Sequence, residues 1–182
     1  TAGLAGAAHA PRPANLLVHG GAWRMGHKAH AGLLRHKIQR WVLQQGFALV
    51  SIDYRLLPEA DPMQQAQDVA RALALAQHLS PDWGVDASQW VLMGHSAGAH
   101  LVALLSAAPD LAQALGASPW LGAVLLDSAA LDVAAIMERR RRPRLYDAAF
   151  GPRPEFWAPV SPLQRLQAGA RPLLAVCSPL RP

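Results

Sequence analysis

The chain has 182 residues, enough for one domain that buries roughly 70% of the surface its unfolded form exposes. It is 52% hydrophobic and 16% charged with a net charge of +5, which excludes a disordered polymer, and no apolar run approaches the ~18 residues of a membrane span. Cys177 is the only cysteine, which excludes an intrachain disulfide and a cysteine-based zinc site.

Short apolar runs alternate with helical patterns, the signature of stacked βαβ units and a parallel sheet. The first run, 15–18, reads as a buried strand that ends in His19-Gly20-Gly21. Leu33, Leu34, Lys37, Ile38, Trp41 and Val42 recur at three- and four-residue steps and predict a helix over 30–45, with Gly46 placed to close it. A second strand follows over 47–52. Asp61-Pro62 then offers an N-cap and a first-turn proline for a helix over 62–79, with Val69, Leu73, Ala76 and Leu79 on one side. Strands are expected over 90–93, 121–126 and 173–176, and an apolar helix over 97–107. The stretch 131–142 has a helical pattern, and 143–162 reads as irregular and aromatic. The expectation is one α/β domain over 1–182 with about five parallel strands, covered by helices in three α/β/α layers.

The excess charge is concentrated in Arg139, Arg140, Arg141, Arg142 and Arg144. No aromatic stacking platform or zinc-finger spacing accompanies the run, so it reads as a solvated helix end or loop, and no nucleic-acid partner is expected. Ala7-Ala8-His9-Ala10 resembles the small-residue cleavage site of a secretory signal, but no charged and strongly apolar leader precedes it. A cytoplasmic location is expected, with secretion the alternative and no membrane association.

The chemistry concentrates in Gly94-His95-Ser96-Ala97-Gly98, between a predicted strand and a predicted helix. In such a G-x-S-x-G a serine sits on a sharp strand-to-helix turn with its hydroxyl thrust above the sheet edge. The residues two before and two after it must then be nearly free of side chain. The helix N-terminus beneath favours developing negative charge. Ser96 is therefore the expected nucleophile, with Gly94 and Gly98 supporting the turn. His19-Gly20-Gly21-Ala22-Trp23 supplies the second element. Small successive residues let backbone N–H groups converge on one point, as a tetrahedral oxyanion requires. The N–H groups of Gly21, Ala22 and Ala97 are the expected oxyanion donors, and His19 and Gly20 support the loop. A metal site among His27, His30 and His36 lacks an acidic partner, and no nucleotide fingerprint is present, so no cofactor is expected.

Taken in order, His19-Gly20-Gly21-Ala22-Trp23-Arg24, Asp53-Tyr54-Arg55-Leu56-Leu57-Pro58-Glu59 and Gly94-His95-Ser96-Ala97-Gly98-Ala99-His100-Leu101 resemble the α/β-hydrolase superfamily. Within it they are similar to the His-Gly-Gly-x-Trp esterases and arylformamidases, near the hormone-sensitive-lipase-like carboxylesterases. Ser161-Pro162-Leu163 also fits. The resemblance implies a serine hydrolase that forms an acyl-enzyme on Ser96 from a small-molecule carboxylic ester, with hydrolysis of an aryl formamide as the alternative. It implies that His19 orients its loop, that Asp53 and Arg55 hold the loop after their strand, and that 127–162 is a cap-like insertion. Trp23, Tyr146, Phe150, Phe156 and Trp157 read equally as pocket walls or as core.

The superfamily orders its triad as serine, then acid, then histidine. All eight histidines here lie at or before His100, and neither His95 nor His100 follows the nucleophile as a triad base should. Among Asp127, Asp132 and Asp147, Asp127 is the best placed acid. The resemblance therefore implies a hydrolase fold truncated at both ends, and a non-catalytic fragment stands as a third reading.

Overall fold

Leu16, Leu17 and Val18 are apolar three in a row, and such a strand is stable only where both faces of a sheet are covered. The computed structural model, which describes residues 12–128 and 130–178, places them in a strand with a neighbour on each side. Strand β1 (Arg12–Val18) lies between β2 (Ala48–Ile52) and β3 (Val85–His95). Strands β4 (Gly122–Leu126) and β5 (Leu173–Val176) continue outward, giving the order β2-β1-β3-β4-β5 with every pairing parallel. All five expected strands are present. The third begins at Val85 rather than near Trp90, because Arg12 pairs with Val85 across an irregularity before the regular register starts at Ala14 and Trp90.

Helices fill the crossovers. Helix α1 (Ala31–Lys37) runs on as a π-helical stretch, Ile38–Leu43, packed on β2, and Gly46 closes it at a left-handed φ of +72°. Leu33's side chain lies outside the described residues. Helix α2 (Pro62–His78) starts at the expected cap: the Asp61 carboxylate accepts from Gln64 N–H while the Gln64 side chain accepts from Asp61 N–H. Its Val69, Leu73 and Ala76 are buried, and Leu79 is half-buried just beyond its end. Helix α3 (Ala97–Ala107) is buried along its whole length, packed against β3, β4 and α2. The short α4 (Asp110–Gln113) follows it.

The stretch between β4 and β5 differs from the sequence pattern. Helix α5 covers only Val133–Met137, because Pro143 disfavours a helical Arg142 and the intervening arginines repel one another. Arg142 instead turns back to donate to the carbonyls of Met137 and Arg139, each at 2.8 Å, and to Asp147 at 2.7 Å. The aromatic stretch expected to be irregular contains α6 (Arg144–Phe150) and α7 (Pro154–Trp157), both too short to show a clear period. Ser161 ties this excursion together. Its hydroxyl accepts from the N–H groups of Val133 and Ala134 and donates to Trp157 O.

The order of the strands fixes where a site belongs. From β1 the chain crosses to β2 on one side and returns to β3 on the other, so β1 and β3 flank a topological switch point. Ligands of open α/β sheets bind beyond the carboxyl ends of strands at such a point. Val18 pairs with Gly94, which brings His19-Gly20-Gly21 beside His95-Ser96.

Candidate active site

Ser96 joins β3 to α3 with φ 51° and ψ −113°, a conformation that non-glycine residues rarely adopt. Its N–H donates to Leu126 O at 2.8 Å, so β4 holds the turn from one side. The two motif glycines hold it from the other. A Cβ on Gly94 would strike the backbone of Gly98 and Ala99, and one on Gly98 would strike the carbonyls of Val18 and His19. Sheet and helix therefore approach to backbone contact on both sides of Ser96, which is why the spacing demands glycine twice.

The loop after β1 is bent just as tightly. Gly21 has φ +125°, and Ala22 and Trp23 are left-handed at +52° and +60°. Gly21 O accepts from the N–H groups of both Arg24 and Met25 at 3.1 Å. Buried Gln65 crosses from α2 to donate to Trp23 O at 3.0 Å and to Ala60 O at 2.9 Å. Among the described residues, the N–H groups of Gly21, Ala22 and Ala97 donate to no protein acceptor, and Ser96 Oγ has no hydrogen-bond partner.

His19 is 3% exposed and stacks on Tyr54 at 4.6 Å, with Nδ1 2.8 Å from Gly20 O. A carbonyl only accepts, so Nδ1 carries a proton. The Nε2 atom lies 3.6 Å from Asp53 Oδ1. The Tyr54 hydroxyl donates to His19 O at 3.1 Å, and burial pushes its phenol well above the usual range. Burial works to raise the Asp53 carboxyl, but the Lys28 N–H at 2.6 Å and the nearby His27 and Lys28 side chains outweigh it and hold it low. Arg55 grips Asp68 of α2 through two bonds of 2.8 Å. His19 and Asp53 thus contact each other and the loops around them, and Arg55 is tied to α2.

Ser96 opens into a cavity of about 110 Å³ walled by Ala22, Trp23, Ala97, Asp127, Leu145 and Tyr146, among others. Among the described residues no histidine lines it. His100 follows Ser96 by one helical turn yet is fully buried and committed elsewhere. Trp23 Nε1–H donates to its Nδ1 at 3.2 Å and its Nε2–H donates to Val160 O at 2.8 Å. That pattern requires the neutral ring, and burial accordingly lowers its pKa to about 4. Asp127 reaches the cavity from the end of β4 at φ 53°. Its carboxylate accepts from both the N–H and the hydroxyl of Ser178, which, with His95 nearby, hold its pKa low. Of the five aromatics, Trp23 is buried and lines the cavity together with Tyr146, Phe150 is a core residue, and Phe156 and Trp157 pack half-buried against the core.

A second, larger cavity of about 640 Å³ is lined by residues that neighbour those of the first in sequence. The two divide between successive residues: Gly21 and His95 line the larger, Ala22 and Ser96 the smaller. His27 and His30 face the larger one, and His36 does not line it. Among the described residues no cluster of three His, Cys, Asp or Glu side chains could hold a metal ion. No described helix is long and apolar enough to cross a membrane, and the Ala7-Ala8-His9-Ala10 segment lies outside the described residues.

Residues 4–138 match the sequence profile of the BD-FAE family. The chain belongs to that family. A probable isoprenylcysteine alpha-carbonyl methylesterase of Oryza sativa subsp. japonica is 33% identical over 93 residues, covering 51% of this BD-FAE chain and 22% of the relative. A non-reducing polyketide synthase of Penicillium roqueforti is 39% identical over 104 residues, covering 53% of this chain and 4% of the relative. The chain thus spans under a quarter of either curated relative. Among solved structures, esterase 2 of Thermogutta terrifontis superposes with a TM-score of 0.70 at 24% identity, covering 93% of this chain and 61% of that one. Esterase B of Lactobacillus rhamnosis gives 0.71 at 24%, covering 92% and 56%. These superpositions establish the α/β-hydrolase fold for the BD-FAE chain.

Sequence reasoning missed two features of the site. The seat of His100 was hidden, because its partners Trp23 and Val160 lie 77 and 60 residues away. The place of Asp127 beside Ser178 likewise depends on the pairing of β4 with β5, and no local pattern announces it.

Proposed function

We propose that this chain carries the nucleophile and oxyanion hole of a serine carboxylesterase. The observation that carries the reading is the strained backbone of Ser96, at φ 51° between an eleven-residue strand and an eleven-residue buried helix, facing one cavity with Ala22 and Ala97. Strain of this kind persists only where the surroundings over-determine it, and it clusters at reactive residues. Ser96 Oγ attacks the ester carbonyl and the alcohol leaves, giving an acyl-enzyme that water then cleaves. The negative oxygen of the tetrahedral intermediate is stabilised by the N–H groups of Ala97, Ala22 and Gly21, each such donor typically contributing about 3–4 kcal/mol. Family membership and the fold shared with two esterases support the same reading.

A serine hydroxyl is a weak nucleophile near neutral pH without a positioned base. Among the described residues no histidine lines the Ser96 cavity, and His100 has both ring nitrogens engaged. The 182-residue chain alone is therefore expected to turn p-nitrophenyl acetate over only at the residual rate of an oxyanion hole without its base, several orders of magnitude below a complete triad. Comparing that ester with an aryl formamide separates the two hydrolytic readings. The decisive test is labelling of the full-length protein with a fluorophosphonate followed by peptide mass spectrometry. The adduct is expected on Ser96 and absent from Ser96→Ala, and an adduct on Ser51, Ser106 or Ser128 instead would remove the assignment.

A further inference from the structure

We propose that Arg139 and Arg141 form a binding site for a small phosphate monoester, one that the reading of Ser96 as nucleophile does not require. The arginines between α5 and α6 have different fates. Arg142 is committed to the fold: its guanidinium donates to the carbonyls of Met137 and Arg139, each at 2.8 Å, and pairs with the Asp147 carboxylate at 2.6 Å. Those bonds fasten the segment back onto the end of α5 and neutralise the Arg142 charge. Arg139 and Arg141 line one cavity of about 230 Å³, together with Ile136, Arg142, Pro143 and Tyr146. Among the described residues neither Arg139 nor Arg141 has an ion-pair partner, and no carboxylate lines the cavity. Arg140 is not part of its wall, and neither is Arg144.

Two unbalanced cations in one recess set the chemistry of the ligand. A cleft lined by a single sign of charge concentrates counter-ions. Guanidinium is planar and presents its donors as a fork that fits carboxylate or phosphate oxygens. A carboxylate brings two oxygens and one charge, enough for one such fork. A phosphate monoester brings three strong acceptor oxygens and a charge of about −1.5 to −2 at neutral pH, which matches two guanidiniums. The rest of the wall is apolar: buried Ile136, the Pro143 ring and half-buried Tyr146. That wall suits an organic body better than free inorganic phosphate. At about 230 Å³ the space falls below the ~300–1,000 Å³ of drug-sized sites, so a body of one ring fits better than a nucleotide. Tyr146 also lines the cavity at Ser96, so one side chain is common to both walls.

The test is calorimetric titration of phenyl phosphate into the full-length protein at low ionic strength and pH ~7.5, where the ligand is mostly the dianion. Saturable binding is expected. Arg139→Gln and Arg141→Gln are each expected to weaken it ~tenfold or more, because each removes one charge-assisted fork. Arg140→Gln and Arg144→Gln remove the same charge from exposed positions outside the cavity, and each is expected to stay within about twofold of the parent. All four side chains are exposed, and Arg139→Gln keeps the backbone carbonyl that Arg142 holds, so the variants are expected to fold as the parent does. Benzoate, with one charge on the same ring, is expected to bind ~tenfold more weakly than phenyl phosphate, and neutral benzyl alcohol not at all. Equal losses in all four arginine variants would reduce the effect to the diffuse field of a basic segment and overturn the proposal. Benzoate binding as tightly as phenyl phosphate would overturn the dianion match, and no saturable heat up to ~10 mM would remove the site altogether.

Discussion

Strands β1 and β5 are written in nearly the same letters and live in opposite surroundings. Leu16, Leu17 and Val18 are each 0% exposed, whereas Leu173, Leu174 and Val176 are 41%, 60% and 45% exposed. Both are short, parallel and apolar on both faces. The difference is position: β1 has a neighbour on each side and β5 closes the order β2-β1-β3-β4-β5. Composition thus reports that a strand exists, while the order of the strands decides how much its burial contributes to stability.

The comparison can be broken most severely at the close contact beside β1. Gly98→Val would drive a branched side chain into the backbone of Val18 and His19, which cannot give as a flexible side chain can. The expected result is loss of a cooperative thermal transition, or a destabilisation beyond the ~1–3 kcal/mol of ordinary overpacking. A melting curve within a few degrees of the parent would show that helix and sheet are not in contact there.

Next in size is the paired truncation that tests the comparison directly. Leu17→Ala is expected to cost ~2–5 kcal/mol by urea denaturation, and Leu174→Ala within about 0.5 kcal/mol, because little surface is withdrawn from water at β5. Equal costs would mean that β5 is covered in solution. The smaller-to-comparable effect is that of acid on His100. Its folded pKa of about 4 lies below the unfolded ~6.5, so the unfolded chain binds the proton first as pH falls. The neutral ring's stabilisation is complete above pH ~6.5 and is lost between there and pH ~4, to the extent of about 3 kcal/mol. His100→Gln keeps an acceptor and a donor without a titration, so stability across that window should be nearly flat. A parent curve equally flat would place His100 in contact with water.

Much of this could be read from the chain before its fold was known. The presence of each strand, the Asp61 cap, the span of α3 and the two glycines around Ser96 are local in origin, set by short apolar runs, a turn's dihedral angles, a side chain's reach of three residues or a period of 3.6. The exposure of β5, the seat of His100 and the cavity at Ser96 are set by partners many tens of residues away, and no local rule encodes them. The stretch after Asp132 sits between these cases. Its helical period was visible, but a run of like charges ending in Pro143 stops α5 at Met137 and hands Arg142 a separate task.

One hydroxyl gives the excursion between β4 and β5 a property of its own. Ser161 spans from Trp157 back to the first turn of α5, and Leu163 N–H reaches Leu131 O at 2.9 Å, so the two feet of the excursion are fastened to each other. What lies between them behaves as a cassette with a fixed footprint. Lengthening it would cost closure entropy that grows only as the logarithm of its length, ~0.6 kcal/mol for each doubling. Sequence drift or insertion there can reshape the wall that Leu145 and Tyr146 present to Ser96 while the strands beneath keep their register.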